Sequence, residues 1–154
     1  MRKSLLLIPF LFLSFHLFSQ SSDEAFSQAK KQIEATFGFY PTIFKLIPDY
    51  QVPGMWAYFG AINTPNGAIP PKYRELINLA VASQIPCEYC IDYHVEAAKA
   101  YGATENELKE AIVSASGTRA FSMILKGNSM DRDLFKKEFK QMMAFMAENA
   151  QKGK

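Results

Sequence analysis

The stretch Pro70-Pro71-Lys72-Tyr73-Arg74-Glu75-Leu76-Ile77-Asn78-Leu79-Ala80-Val81-Ala82-Ser83-Gln84-Ile85-Pro86-Cys87-Glu88-Tyr89-Cys90-Ile91-Asp92-Tyr93-His94 decides the fold. Pro71 suits a first helical position, where the N–H it lacks has no intrahelical partner. From Glu75 onward the run to Ala82 is apolar on nearly every side, so a helix from about Pro71 to Ile85 is expected, buried through much of its length. Pro86 interrupts it. A second helix begins around Cys87 and runs to Tyr101, closed by Gly102. Tandem helices separated by one proline, with no alternating pattern, point away from a sheet.

The flanks agree. Upstream, Asp23 to Phe37 reads as a polar-faced amphipathic helix ending at Gly38. Pro41 opens a short piece through Leu46, and a third helix follows Pro53 through Trp56 and Phe59 to about Asn63. Thr64-Pro65-Asn66-Gly67 is a turn. Downstream, Thr104-Glu105-Asn106-Glu107 is a capping box opening a helix that carries Leu108, Ala111, Ile112 and Ala115, with a bend expected at Gly117. Asp131 caps a last helix with Leu134, Phe135, Phe139, Met142, Met143 and Met146 on one side, a face expected to serve as core and oligomer contact. The class is all-α: a compact multi-helix domain over residues 22–150.

Residues 1–20 stand apart. Arg2 and Lys3 precede an apolar stretch from about Leu5 to Phe18, followed by Ser19-Gln20-Ser21-Ser22, the layout of a signal peptide cleaved near Ser19 to Ser21. An uncleaved anchor is the alternative. Export is the expectation, to the periplasm where the cell has two membranes. Of 17 Lys and Arg against 15 Asp and Glu, cleavage removes two basic residues and leaves no net charge. That argues against nucleic acid or an anionic membrane surface as partner. His16 departs too, so His94 is the histidine that remains, four residues after the second of 2 cysteines.

Cys87-Glu88-Tyr89-Cys90 has several readings. A purely structural bridge closes so short a loop that its entropic gain is about 2 kcal/mol, against ~4.7 for a 100-residue loop. Haem attachment needs His directly after the second Cys, where Ile91 stands. Zinc is a stronger rival: on a helix Cys87, Cys90 and His94 fall within about 60° of arc, and Glu75 could complete a tetrahedron. There is, however, no second ligand pair. Redox chemistry fits best. Cys87 begins a helix, where free N–H groups and the dipole stabilise a thiolate. His94 follows Cys90 at the spacing where helical side chains meet, suited to proton exchange. Glu75 shares a face with Leu79 and Ala82: it is either a partly desolvated carboxyl that favours its protonated form and suits a relay, or a helix-start carboxylate favoured by the dipole.

Glu75, eleven residues, Cys87-x-x-Cys90, three residues and His94 resemble the alkylhydroperoxidase-D-like branch of the carboxymuconolactone decarboxylase family. Pro71 to Val81, Ala97-Ala98, Tyr101-Gly102-Ala103 and the stretch Glu107 to Ala111 share the likeness, as does Phe37 to Ala61. It spans roughly residues 35–125. The resemblance implies an all-helical domain assembling as a trimer or hexamer. It implies a peroxidase in which Cys87 and Cys90 cycle between dithiol and disulfide while Glu75 and His94 relay protons. No cofactor is implied beyond that pair. The partners would be a hydroperoxide and a thiol reductant protein, lipoyl- or thioredoxin-like. Best-understood members of this kind look cytosolic, so an exported relative needs reducing power delivered to it. The alternatives are an exported thiol–disulfide exchanger and a non-catalytic zinc-binding or interaction module.

Overall fold

The computed structural model describes residues 8–85 and 87–152. Among them the chain forms seven α-helices and one 3-10 turn, with no strand, so the protein is all-α. No described helix is long and apolar enough to cross a membrane. The contacts gather into two compact units, residues 1–67 and 68–154.

In the first unit, α1 spans Ile8–Phe37, continuous through the serines where cleavage is expected; residues 1–7 of the expected leader lie outside the described residues. It ends where Gly38 turns to φ 78°, a left-handed conformation that glycine adopts without steric cost. Then come α2 (Thr42–Lys45), the 3-10 turn (Asp49–Gln51) and α3 (Val52–Ile62). Ala29, Ile33, Phe44 and Val52 make the core, flanked by Phe26, Tyr40, Ile47 and Trp56. Trp56 stacks on Phe59 at 5.6 Å and meets Phe44 edge-on at 5.9 Å. Its indole N–H donates to Gln32 Oε1 at 3.0 Å, satisfying the polar end of an otherwise apolar ring.

The second unit holds α4 (Pro71–Ala82), α5 (Glu88–Ala100), α6 (Glu105–Gly127) and α7 (Arg132–Lys152). The second helix of residues 70–94 packs back on the first. Leu79, Ala98 and Leu108, from α4, α5 and α6, close the core, with Leu76, Ile91, Val95 and Ala103 around them. Gly102, at φ 83°, makes the corner between α5 and α6. There the Ala103 N–H bonds Ala98 O and the Gly102 N–H bonds Lys99 O, both at 2.9 Å, satisfying carbonyls that the helix end would leave open.

The capping box is formed. Thr104 Oγ1 accepts from the Glu107 N–H at 3.2 Å, and Glu107 Oε2 accepts from the Thr104 N–H at 2.7 Å. The other carboxylate oxygen of Glu107 takes Lys72 Nζ at 2.8 Å, tying the start of α6 to the start of α4.

Three expectations need correction. α4 stops at Ala82, not Ile85, because the Ser83 hydroxyl donates to Ala80 O at 2.8 Å and competes with the next helical turn. α6 runs through Gly117 to Gly127 unbroken, since one interior glycine costs only about 1 kcal/mol against alanine. The face of α7 is not core: Leu134, Phe135, Phe139, Met142, Met143 and Met146 all stay exposed.

Leu79 is fully buried. Leu79→Ala is expected to lower unfolding free energy by about 2–5 kcal/mol in urea, through lost transfer energy plus a cavity. Glu107 carries a carboxyl held down from the ordinary 4.5 to about 2, first by the Lys72 hydrogen bond and then by the Thr104 N–H. A depressed carboxylate stabilises the fold fully above its unfolded value, and that contribution disappears as pH falls through the folded value. Glu107→Gln should therefore melt lower than wild type at pH 7, with the gap closing between pH 4.5 and pH 2 in thermal circular dichroism.

Candidate active site

The site grows from the register of α4. Glu75, Leu79 and Ala82 are its buried residues, spaced to lie on one face of a helix. A glutamate placed in that row is carried into the core with its neighbours, and Glu75 is only 1% exposed. No other charged residue among those described is so buried. A carboxyl out of water must find a hydrogen-bond partner or incur a large desolvation cost.

α5 supplies the partner. Ile91, Val95 and Ala98 pack this helix into the same core as Leu79. His94 lies within that spacing, so its ring is carried towards α4. His94 Nδ1 and Glu75 Oε2 are 2.7 Å apart. The bond works either as Nδ1–H donating to a carboxylate or as a carboxylic acid donating to a neutral ring. In both cases Nε2 is the nitrogen left to take or give a proton. The Glu75 side chain is 2% exposed and that of His94 is 20%, so the pair opens to the outside at the imidazole end.

Cys87 and Cys90 form a disulfide with their Cα atoms 5.3 Å apart. Cys87 is the N-cap of α5: its Sγ accepts from the Cys90 N–H at 3.3 Å, the role usually filled by Ser, Thr, Asn or Asp. Both cysteines are partly exposed to solvent. Cys90 and His94 are four residues apart on this helix, with Cβ atoms about 5–6 Å apart at that spacing.

All four residues singled out by spacing therefore belong to one face-to-face pair of helices. Glu75 bonds His94 directly across the two helices. Tyr93 is the neighbour that spacing alone passes over. Its ring meets the His94 ring edge-on, centroids 5.1 Å apart at 78°. Burial pushes its hydroxyl up from the ordinary 10.0, with smaller contributions from the Glu75 and Tyr101 charges. The sequence clue was its place beside His94 and one turn after Cys90, which an aromatic residue in a helix is too common to mark. No cluster of three His, Cys, Asp or Glu suited to a metal ion occurs among the described residues.

Residues 52–125 match the sequence pattern of the Carboxymuconolactone decarboxylase family. A 55-residue stretch is 40% identical to "Uncharacterized protein 4 in cox locus" of Paracoccus denitrificans, covering 36% of this chain and 50% of that protein. The match thus spans about half the length of that relative. The crystal structure of the alkylhydroperoxidase AhpD core from Rhodospirillum rubrum superposes with a TM-score of 0.61 at 22% identity, over 73% of this chain and 86% of that one. At that identity the likeness speaks for the fold. Residues 52–125 thus carry the pattern of the Carboxymuconolactone decarboxylase family, and the chain has the fold of the alkylhydroperoxidase AhpD core.

Proposed function

We propose that the protein is a thiol-dependent peroxidase that reduces hydroperoxides by cycling Cys87 and Cys90 between dithiol and disulfide. The observation that carries this reading is the 2.7 Å Glu75–His94 bond, which joins α4 to α5, the helix whose first turn holds an accessible Cys87–Cys90 bridge. A structural bridge has no use for a buried proton relay beside it.

In the first step the Cys90 thiolate attacks the terminal peroxide oxygen. The O–O bond breaks, and the departing alkoxide takes a proton delivered through His94 from Glu75, leaving Cys90 as a sulfenic acid. In the second step the Cys87 thiolate attacks the Cys90 sulfur. The S–S bond forms as the S–O bond breaks, and the hydroxide takes a proton to leave as water. Two electrons have passed from the dithiol to the peroxide. The N-cap position suits Cys87 to the resolving role, because the Cys90 N–H and the helix dipole stabilise its thiolate. An external dithiol protein, lipoyl- or thioredoxin-like, then restores the pair by exchange.

The same reading makes the protein exported, periplasmic in a two-membrane cell, on the strength of its basic, apolar and serine-rich first twenty residues. It also makes it a trimer or hexamer whose contacts cover the apolar face of α7. Nucleic acid is not a partner, and no cofactor beyond the cysteine pair is required.

Freshly purified protein is expected to show no free thiol with a chromogenic disulfide reagent, and two per chain after reduction and desalting. Peroxide consumption with dihydrolipoamide should vanish in Cys90→Ser. It should fall about 100-fold or more in Glu75→Gln and His94→Asn, the loss expected when a general acid is removed. No turnover in wild type, together with mixed disulfides trapped by Cys90→Ser or Cys87→Ser, would move the assignment to thiol–disulfide exchange. Stoichiometric zinc in the reduced protein, lost in Cys87→Ser, would move it to a metal-binding module.

A further inference from the structure

The Glu75–His94 bond fixes one nitrogen of the imidazole but not the plane of the ring. The second side-chain torsion of histidine is broad, so a ring held at Nδ1 alone can still swing. Glu75 is sealed in the core, so water reaches the pair from the His94 side. Tyr93, half exposed, sets its ring against the imidazole at 5.1 Å and near a right angle. Edge-to-face contact is the arrangement that aromatic quadrupoles favour, and it restrains the ring plane. The Tyr93 hydroxyl, raised from its ordinary 10.0 first by burial and then by the Glu75 charge, is neutral at ordinary pH, as an unshifted tyrosine would be. An acidic residue in this place would put a second charge beside Glu75; a small one would let water in.

We propose that Tyr93 is a positioning residue, whose ring holds the His94 imidazole in the plane that keeps Nδ1 on Glu75 and excludes water from that bond. The kinetic part of this inference rests on the peroxidase reading; the structural part does not. Because the ring and not the hydroxyl makes the contact, phenylalanine should serve in its place.

The test compares Tyr93→Phe, Tyr93→Ala and Tyr93→Leu in the full-length oxidised protein. Proton NMR reads the far-downfield signal of the proton shared by Glu75 and His94, and a thermal melt confirms folding. Wild type and Tyr93→Phe are expected to show that signal. In Tyr93→Ala and Tyr93→Leu it should broaden away through exchange with water. Under turnover, kcat should fall about tenfold or more in the Ala and Leu variants, as misplacement of a catalytic group can cost up to 100-fold. KM for the peroxide should stay near the wild-type value, and Tyr93→Phe should restore kcat. If Tyr93→Ala fails to fold, Tyr93→Leu, which keeps the bulk without the aromatic edge, decides. A signal and rate that survive both Ala and Leu overturn the proposal. So does a Tyr93→Phe variant as impaired as Tyr93→Ala, which would assign the role to the hydroxyl, and so does a wild type without the downfield signal. A wild type with the signal but no turnover removes the peroxidase reading and leaves the NMR comparison to judge Tyr93.

Discussion

Everything around the site depends on one carboxyl group being out of water. Glu75 sits in the same helical row as Leu79 and Ala82, so the packing that buries those residues buries it as well. Its partner must come from the helix packed opposite, and only a side chain long enough to cross the gap and able to bond a carboxyl will serve. His94 meets both conditions. Losing the histidine would leave a buried group unpartnered, and losing the glutamate would leave an imidazole free to turn. The Glu75–His94 bond and the packing of α4 on α5 are thus one arrangement seen from two sides. Hydrogen bonds of this kind, inside a low-dielectric core, are stronger than the same bonds in water and harder to leave half made.

The elements around the site were largely legible in the sequence, and for identifiable reasons. Gly38 and Gly102 occupy positions of positive φ that other residues rarely adopt, so they mark helix ends from composition alone. Thr104 and Glu107 form a reciprocal pair whose spacing is itself the geometry. The row of four site residues was legible because three lie on one helix and the fourth on the helix just before it. What was not legible depended on tertiary placement. The direct Glu75–His94 bond needs the angle at which α4 crosses α5, which no local pattern encodes. Ser83 ending α4 early is a contest between a hydroxyl and the helical ladder, decided by a single torsion. The apolar side of α7 is visible in its periodicity, yet periodicity says only that a face is greasy, not what covers it.

Within the second unit the restraints are unevenly shared. The starts of α4 and α6 are joined through the two oxygens of Glu107, and the α5–α6 corner is closed by two bonds from Gly102 and Ala103. α4, α5 and α6 are therefore fixed at the places that set the site. α7 has no comparable tie among the described residues, and its aromatic and methionine side chains remain in contact with solvent. Regions that carry few buried contacts open at lower free energy than the core they adjoin. The site is thus built on the better-held part of the chain.

Cys87 as the cap of α5 has a thermodynamic consequence. The hydrogen bond it accepts from the Cys90 N–H strengthens when the sulfur carries a negative charge, because charge-assisted bonds are roughly twice as strong as neutral ones. Order in the first turn of α5 and the reduced state of the pair therefore support each other. A partner that clamps that turn makes the bridge a better electron acceptor, and one that frays it makes the dithiol a better donor. The order of that helix end and the oxidation state of the pair are thus coupled through one hydrogen bond.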